Sequence, residues 1–151
     1  MPAGQLSLKG RALRLLSMRE HSRLELERKL AGHEQEPGEL ARALDELQAK
    51  GFISEERVVE SVLHRRAARL GAGRIRQELQ AKGLEGELVA QAMEQLKATE
   101  LERAREVWRR KFDQPPQDAV QRAKQSRFLA ARGFGGEVIR KVLAGGAGEE
   151  D

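Results

Sequence analysis

The fold of this chain is decided by the stretch Leu79-Gln80-Ala81-Lys82-Gly83-Leu84. Two other stretches, at 47–52 and 129–134, repeat its pattern of a leucine, a glycine four residues later and then an apolar residue. Glycine readily adopts the left-handed conformation that ends a helix, and the apolar residue after it packs back on the leucine. Each stretch therefore predicts the end of a helix.

Helix starts are marked by hydroxyl residues with a suitable partner. Ser22 with Glu25 and Thr99 with Glu102 both have the spacing of a capping box, in which serine or threonine and glutamate satisfy each other's backbone N–H groups. Ser54 precedes a helical pattern in the same way and is expected to be an N-cap.

Between these signals the apolar residues recur at helical spacing along the whole chain. Leu40, Leu44 and Leu47 mark one helix face, and the first helix is expected to bury Leu13, Leu16 and Met18. Strict alternation of apolar and polar residues is not evident. We therefore predict nine helices and no β-sheet.

The helical pattern repeats along the chain. Leu30 and Leu79 are 49 residues apart, and a shift of 50 residues brings Leu79 onto Leu129 and Gly83 onto Gly133. A period of this size is typical of stacked arrays in which neighbouring units complete each other's core. The sequence thus predicts an all-α fold of three tandem three-helix repeats. We expect them to stack into an elongated, curved, right-handed to irregular helical array.

The predicted units have the following boundaries. Helical repeat 1 covers 7–53, repeat 2 covers 54–98 and repeat 3 covers 99–144. The ends, 1–6 and 145–151, are expected to be disordered, because terminal residues outside a packed unit are seldom held in place.

Composition limits the class of protein. The chain has no cysteine, and its N-terminal residues lack the apolar core of a signal peptide. The net charge is +4, with basic and acidic blocks alternating: residues 61–82 carry six Lys or Arg and one acidic residue. We expect a soluble, cytoplasmic monomer that does not bind membranes. Alternating blocks suit either solvated helix faces or basic stripes that bind a partner.

A search for catalytic chemistry finds no convincing constellation. His21, His33 and His64 form none of the spacings that hold a metal ion, and Ser22 and Ser54 are accounted for as helix caps. The glycine-rich segment 71–74 lacks the preceding strand and the lysine of a phosphate-binding loop, so it predicts a turn between helices. We therefore predict a protein that is not an enzyme and needs no cofactor or metal.

Two basic clusters remain as candidate binding residues. The cluster members are Arg65, Arg66, Arg69, Arg74 and Arg76, followed by Arg109, Arg110, Lys124 and Arg127. Cations at a helix C-terminus also stabilise the helix dipole, which is sufficient to explain Arg109 and Arg110 alone. The five arginines within 65–76 are more than the stabilisation of a helix dipole requires, and the planar guanidinium group suits the binding of phosphates and carboxylates. Trp108 is expected in a core.

Several stretches resemble those of a known family. The matching residues are Ala12-x-x-Leu15-Leu16-x-x-Arg19-x-His21-Ser22-x-x-Glu25-Leu26-x-x-Lys29-Leu30, Lys50-Gly51-Phe52-Ile53-Ser54-x-x-Arg57, Gly73-Arg74-Ile75-Arg76-Gln77-Glu78-Leu79-x-x-Lys82-Gly83-Leu84, Arg109-x-Lys111-Phe112 and Arg127-Phe128-Leu129-x-x-Arg132-Gly133-Phe134. On these residues the chain resembles the RecX family over about 8–143. The family favours tyrosine at positions where this chain has phenylalanine, leucine or valine, so contacts through a tyrosine hydroxyl are not expected here.

The resemblance implies a regulatory role. RecX proteins are three-repeat helical arrays that bind the filament formed by the RecA recombinase on single-stranded DNA. They restrain its extension, ATP hydrolysis, strand exchange and co-protease activity, within DNA repair by homologous recombination and the SOS response. The residues themselves leave two alternatives: a helical protein that binds single- or double-stranded DNA without the recombinase, and a helical scaffold that binds neither.

Overall fold

The structure, a computed structural model, describes residues 5–145. In this range the chain forms nine α-helices and one short 3₁₀ helix, without a β-strand. The helices are α1 (Leu8–Met18), α2 (Arg23–Leu30), α3 (Glu39–Ala49), α4 (Glu55–Arg66), α5 (Ala72–Ala81), α6 (Glu87–Lys97), α7 (Glu100–Lys111), α8 (Ala119–Ala131) and α9 (Gly136–Leu143), and the 3₁₀ helix is Ala31–His33. The predicted all-α fold is confirmed. The disorder predicted for 1–6 and 145–151 lies outside the described residues except at 5, 6 and 145, which the structure describes.

The helices form three groups of three, each around its own hydrophobic core. Helices α1–α3 enclose one core, α4–α6 a second and α7–α9 a third. At each centre lies the leucine of a helix stop: Leu47, Leu79 and Leu129, all almost completely buried. Burying a leucine stabilises a fold by about 1.5–3 kcal/mol. The residue that ends a helix therefore also anchors a core.

The three predicted helix ends have the expected backbone geometry. Gly51, Gly83 and Gly133 have φ angles of 85°, 82° and 96°. The N–H group after each glycine donates to the carbonyl of the leucine, at 2.9, 3.0 and 3.2 Å respectively, which is the bond of a Schellman motif. The following side chain is buried in the second and third stops. Phe52, after the first, remains 47% exposed, so it packs less completely than predicted.

Helices begin at all three predicted positions, and two of the three have the predicted side-chain cap. Ser22 Oγ accepts from Glu25 N–H at 3.2 Å, and Glu25 Oε1 accepts from Ser22 N–H at 2.9 Å, so this capping box is complete. Ser54 caps α4.

The capping box predicted at Thr99 is absent, although α7 does begin directly after this residue, and the burial predicted for Met18 is wrong. The Thr99 hydroxyl donates to Leu96 O at 3.4 Å and accepts from Arg103 Nε at 3.0 Å, so it makes no cap bond to α7. A hydroxyl engaged by a neighbouring arginine and the preceding helix is turned away from the N–H groups that it would cap. Met18, in the last turn of α1, is 69% exposed.

Neighbouring units meet where the second helix of one unit begins and the second helix of the next unit ends. Between the first and second units, Ser22 Oγ donates to Lys82 O at 2.6 Å. Between the second and third, Gly71 N–H donates to Arg132 O at 2.7 Å and Gly73 N–H to Gly133 O at 3.1 Å. The same end-to-end contact of helices therefore joins all three units in series.

Glycine is required at the second joint because two backbones touch. A Cβ atom on Gly71 would lie 2.5 Å from the backbone of Gly133, and one on Gly133 would lie 2.5 Å from Arg74 N. Real Cβ atoms essentially never approach other atoms so closely. The turn predicted at 71–74 lies earlier in the structure, at 67–71, and Gly73 is in the first turn of α5. Gly71 and Gly73 serve the packing of the two units.

Gly71→Ala should therefore open the second joint. We expect a loss of about 1–3 kcal/mol in the free energy of unfolding, the usual cost of adding a methyl group to a close-packed site. Urea denaturation followed by circular dichroism measures the loss. Gly32→Ala is the matched control, since within the described chain no atom lies within 4 Å of its added Cβ. Equal stability of the two variants would contradict the proposed joint.

Candidate interaction surface

The first basic cluster starts at the end of α4. Arg65 and Arg66 lie in its last turn and share the carboxylate of Glu78 on α5, at 3.8 and 3.1 Å. Arg69 follows in the turn between α4 and α5 and is exposed. Surface ion pairs of this kind contribute only about 0–1 kcal/mol, so the two arginines can exchange Glu78 for a partner's anion at small cost.

The remaining two arginines of this cluster have separate surroundings. Arg74 Nη1 donates to Ala131 O at 2.8 Å and so belongs to the joint between the second and third units. Arg76, two residues further along α5, is exposed at the edge of a groove. Residues two apart on a helix point in different directions. The structure therefore divides the five predicted residues among three places.

The second basic cluster lies on the third unit. Arg109 and Arg110 both pair with Glu106, at 3.3 and 3.5 Å, and remain largely exposed. Lys124 lines a polar cleft of about 320 Å³ between the end of α7 and the start of α8, and Arg127 is exposed on α8. Four cations thus face outwards from one unit.

A buried ion pair that the sequence did not indicate lies beside the second joint and stabilises it. The side chains of Glu100 and Arg103 are 11% and 12% exposed and pair at 3.0 Å. Glu100 Oε1 accepts from Ala72 N–H at 3.1 Å, while Arg103 Nη1 donates to Ala67 O and Leu70 O, both at 2.8 Å. These bonds tie the first turn of α7 to the loop between α4 and α5.

A groove of about 720 Å³ runs between the second and third units. Half-buried apolar side chains form its floor, namely Met93, Leu101 and Val138. Exposed cations stand at its edge, namely Arg76, Lys97 and Lys141. Only Arg76 was predicted from the sequence. Lys97 stands apart from other cations in the sequence, whereas Lys141 follows Arg140. Helix α7 contacts both α6 and α9, and this packing brings the two lysines to one groove.

Groups with displaced pKa values lie chiefly at the first joint. Burial alone would raise the pKa of Glu25, but hydrogen bonds from Arg19, Ser22 and Lys82 lower it to about 2. Burial lowers the pKa of His21, whose Nδ1 lies 3.0 Å from Arg19 O and whose Nε2 lies 3.2 Å from Lys29 Nζ. Glu25 bonds Lys82 across the joint, whereas the contacts of His21 lie within the first unit.

The described residues contain no group of three or more His, Asp or Glu side chains placed to hold a metal ion. Over the same range, no helix combines the length and apolar character needed to cross a membrane. Fold and surface together define a class: an all-helical repeat protein whose second and third units present cations outwards.

Family models identify this class more narrowly. Three match in chain order, described as the first, second and third three-helix domains of RecX, at residues 9–47, 54–93 and 98–143. The Regulatory protein RecX of Leptothrix cholodnii is 59% identical over 92% of this chain and 88% of its own. That of Herbaspirillum seropedicae is 52% identical over 95% and 93%. The chain belongs to the RecX family.

Solved structures agree on the fold. RecX from Lactobacillus salivarius superposes with a TM-score of 0.78 at 18% identity, over 91% of this chain and 93% of that one. A second RecX crystal structure gives 0.74 at 20% identity, over 94% of this chain and 81% of that one. The three-unit helical architecture therefore persists although most residues differ.

Stability should decrease on acidification, through the first joint. Because the pKa of His21 is lowered in the fold, its contribution is lost as the pH falls below 6.5. The contribution of Glu25 is present above its ordinary pKa of 4.5 and is lost as the pH falls from there to about 2. We expect Glu25→Gln to unfold more easily at neutral pH and to lose less stability between pH 5 and 2.

Urea titrations across this pH range measure the effect. The matched control is Glu102→Gln, which removes an exposed carboxylate from α7 and should keep the wild-type pH dependence. If Glu25→Gln and wild type lost stability in parallel below pH 4.5, the ion pairs of Glu25 would not stabilise the joint.

Proposed function

We propose that this chain binds the RecA filament on single-stranded DNA and inhibits RecA ATP hydrolysis, filament extension, strand exchange and co-protease activity. Membership of the RecX family is the observation that carries the proposal, since relatives matching more than nine tenths of the chain are named regulatory proteins. The outward-facing arginines of the second and third units support it. In this role the protein acts by binding and not as an enzyme.

The geometry suits a clamp across neighbouring subunits. Three units are joined in series, and the second joint is a contact between backbones that a side-chain rearrangement cannot loosen. A protein that is already rigid before it binds loses little conformational entropy on binding. A stiff array that contacts several recombinase subunits at once would hold them in one arrangement and oppose the changes that ATP hydrolysis and subunit addition require.

The proposed contacts are the predicted cations. They are Arg65, Arg66, Arg69, Arg74, Arg76, Arg109, Arg110, Lys124 and Arg127. Guanidinium groups can form two parallel hydrogen bonds with one carboxylate or phosphate, so they suit acidic recombinase surface or exposed DNA backbone. Arg74 stays in the set because it is exposed, although one of its nitrogens already bonds Ala131 O.

Removing one part of this surface should weaken binding to the filament. We expect Arg65→Ala/Arg66→Ala/Arg69→Ala to raise the dissociation constant about tenfold, equivalent to about 1.4 kcal/mol. Fluorescence anisotropy of the labelled protein with preformed filament measures it. The control is Arg14→Ala/Arg28→Ala/Arg42→Ala, three exposed arginines of the first unit. Equal affinities of both variants, with helicity intact, would contradict the proposed surface.

The function itself is tested by RecA ATP hydrolysis on single-stranded DNA. We expect strong inhibition when this protein is present at far less than one chain per recombinase subunit, because each chain spans several subunits or blocks growth. Absence of inhibition would contradict the proposal. If bare single strands were then bound with an affinity that falls steeply with salt, about 0.7 in log–log slope per phosphate contacted, direct DNA binding would replace it.

A further inference from the structure

We infer that the groove between the second and third units binds an acidic segment of the protein partner that also carries an apolar anchor. The inference rests on the proposed function, because the partner is taken to be the recombinase filament. The groove has a volume of about 720 Å³ and combines half-buried apolar side chains with exposed cations. Met93, Leu101 and Val138 also pack against the cores of the two units, and the part of each side chain that stays exposed is open to a ligand.

The cations at the edge are available to a ligand. Lys97 and Lys141 make no ion pair with another described residue, and the same holds for Arg76. The buried carboxylate of Glu100, which also lines the groove, cannot serve them, because it is already bonded to Arg103 and to Ala72 N–H. Glu94 and Glu137, whose exposed carboxylates also line the groove, form no ion pair with a described residue either. The unpaired charges at the groove are therefore three cations and two carboxylates, and this balance favours an anionic ligand whose charges are spaced apart.

The backbone at one wall reinforces this preference. Gly135, the residue before α9, offers no side chain to cap the helix, and Gly136, Glu137 and Val138 of its first turn line the groove. The first N–H groups of a helix lack partners within the helix and carry its positive dipole end. A carboxylate lying in the groove would meet these N–H groups as well as Lys141.

The floor identifies the ligand as a peptide rather than nucleic acid. Met93, Leu101 and Val138 offer apolar contact to a side chain, and no aromatic residue lines the groove on which a base could stack. The exposed carboxylates of Glu94 and Glu137 also face the groove and would repel a continuous phosphate backbone. A peptide with separate acidic and apolar residues can place its charges beside the cations and avoid these two.

Charge reversal at the edge tests the inference without touching the core. We expect Lys97→Glu/Lys141→Glu to weaken binding to the RecA filament at least tenfold and to relieve the inhibition of ATP hydrolysis correspondingly. Arg28→Glu/Arg42→Glu, in the first unit, makes the same change in net charge at exposed positions and should bind like wild type. Circular dichroism establishes that both variants are folded.

The outcomes separate the two proposals. If wild type inhibits the recombinase and the groove variant inhibits equally well, the groove inference is overturned while the proposed function stands. If wild type has no effect on the recombinase, the proposed function fails, and the inference fails with it. If the groove variant loses affinity for bare single-stranded DNA as strongly as for the filament, the groove binds nucleic acid and the inference is overturned.

A crosslink identifies the bound segment directly. The chain has no cysteine, so Glu94→Cys places a single thiol at the groove, to which a benzophenone maleimide can be attached. Irradiation on the filament should yield an adduct with an acidic recombinase peptide, and the same label at Gln80→Cys, exposed on α5, should not. Adducts with DNA, or equal yields from both positions, would overturn the inference.

Discussion

The structure depends on the close approach of two backbones at a helix-ending glycine. Gly133 stops α8 with a positive φ angle, and its carbonyl oxygen then accepts from Gly73 N–H at the start of α5. The end of a helix has unsatisfied carbonyl groups and the start of another has unsatisfied N–H groups, so each provides what the other lacks. The dipoles also meet with opposite signs. Gly133 therefore ends one helix, accepts a hydrogen bond from a free N–H group of a second helix and fixes the spacing of two units.

At the first joint, side chains and not a second backbone bond to the end of the helix. Ser22 Oγ, and not a backbone N–H, reaches the carbonyl of Lys82, and the ammonium of Lys82 pairs with Glu25 at 3.1 Å. Glu20 and Arg57 add a second ion pair across the joint at 2.9 Å. Interactions that depend on charge respond to pH and salt, whereas backbone contacts respond little. The first unit is thus attached by a sensitive contact and the third by a rigid one.

The sequence predicted those features that depend on residues near one another in the chain. The stops at Gly51, Gly83 and Gly133 and the caps at Ser22 and Ser54 are local, and all were found. The failed cap at Thr99 shows the limit, because Arg103 takes its hydroxyl in a network that reaches another unit. The division of the basic cluster was unpredictable for the same reason. Packing decides that Arg74 faces a carbonyl while Arg76, two residues away, faces a groove.

The ion pairs within the chain determine which charges remain at the surface for a partner protein to contact. Three glutamates are each paired with at least one cation of the chain. Glu25 pairs across the first joint, Glu78 pairs between α4 and α5, and Glu100 pairs within α7. Carboxylates that are engaged inside cannot offset cations outside. Each such pair also engages a cation, so the net charge of +4 is left to the remaining side chains, among them the exposed arginines of the second and third units. A joint built on glycine brings the cations of α5, α6 and α9 around one groove, which the exposed carboxylates of Glu94 and Glu137 also line.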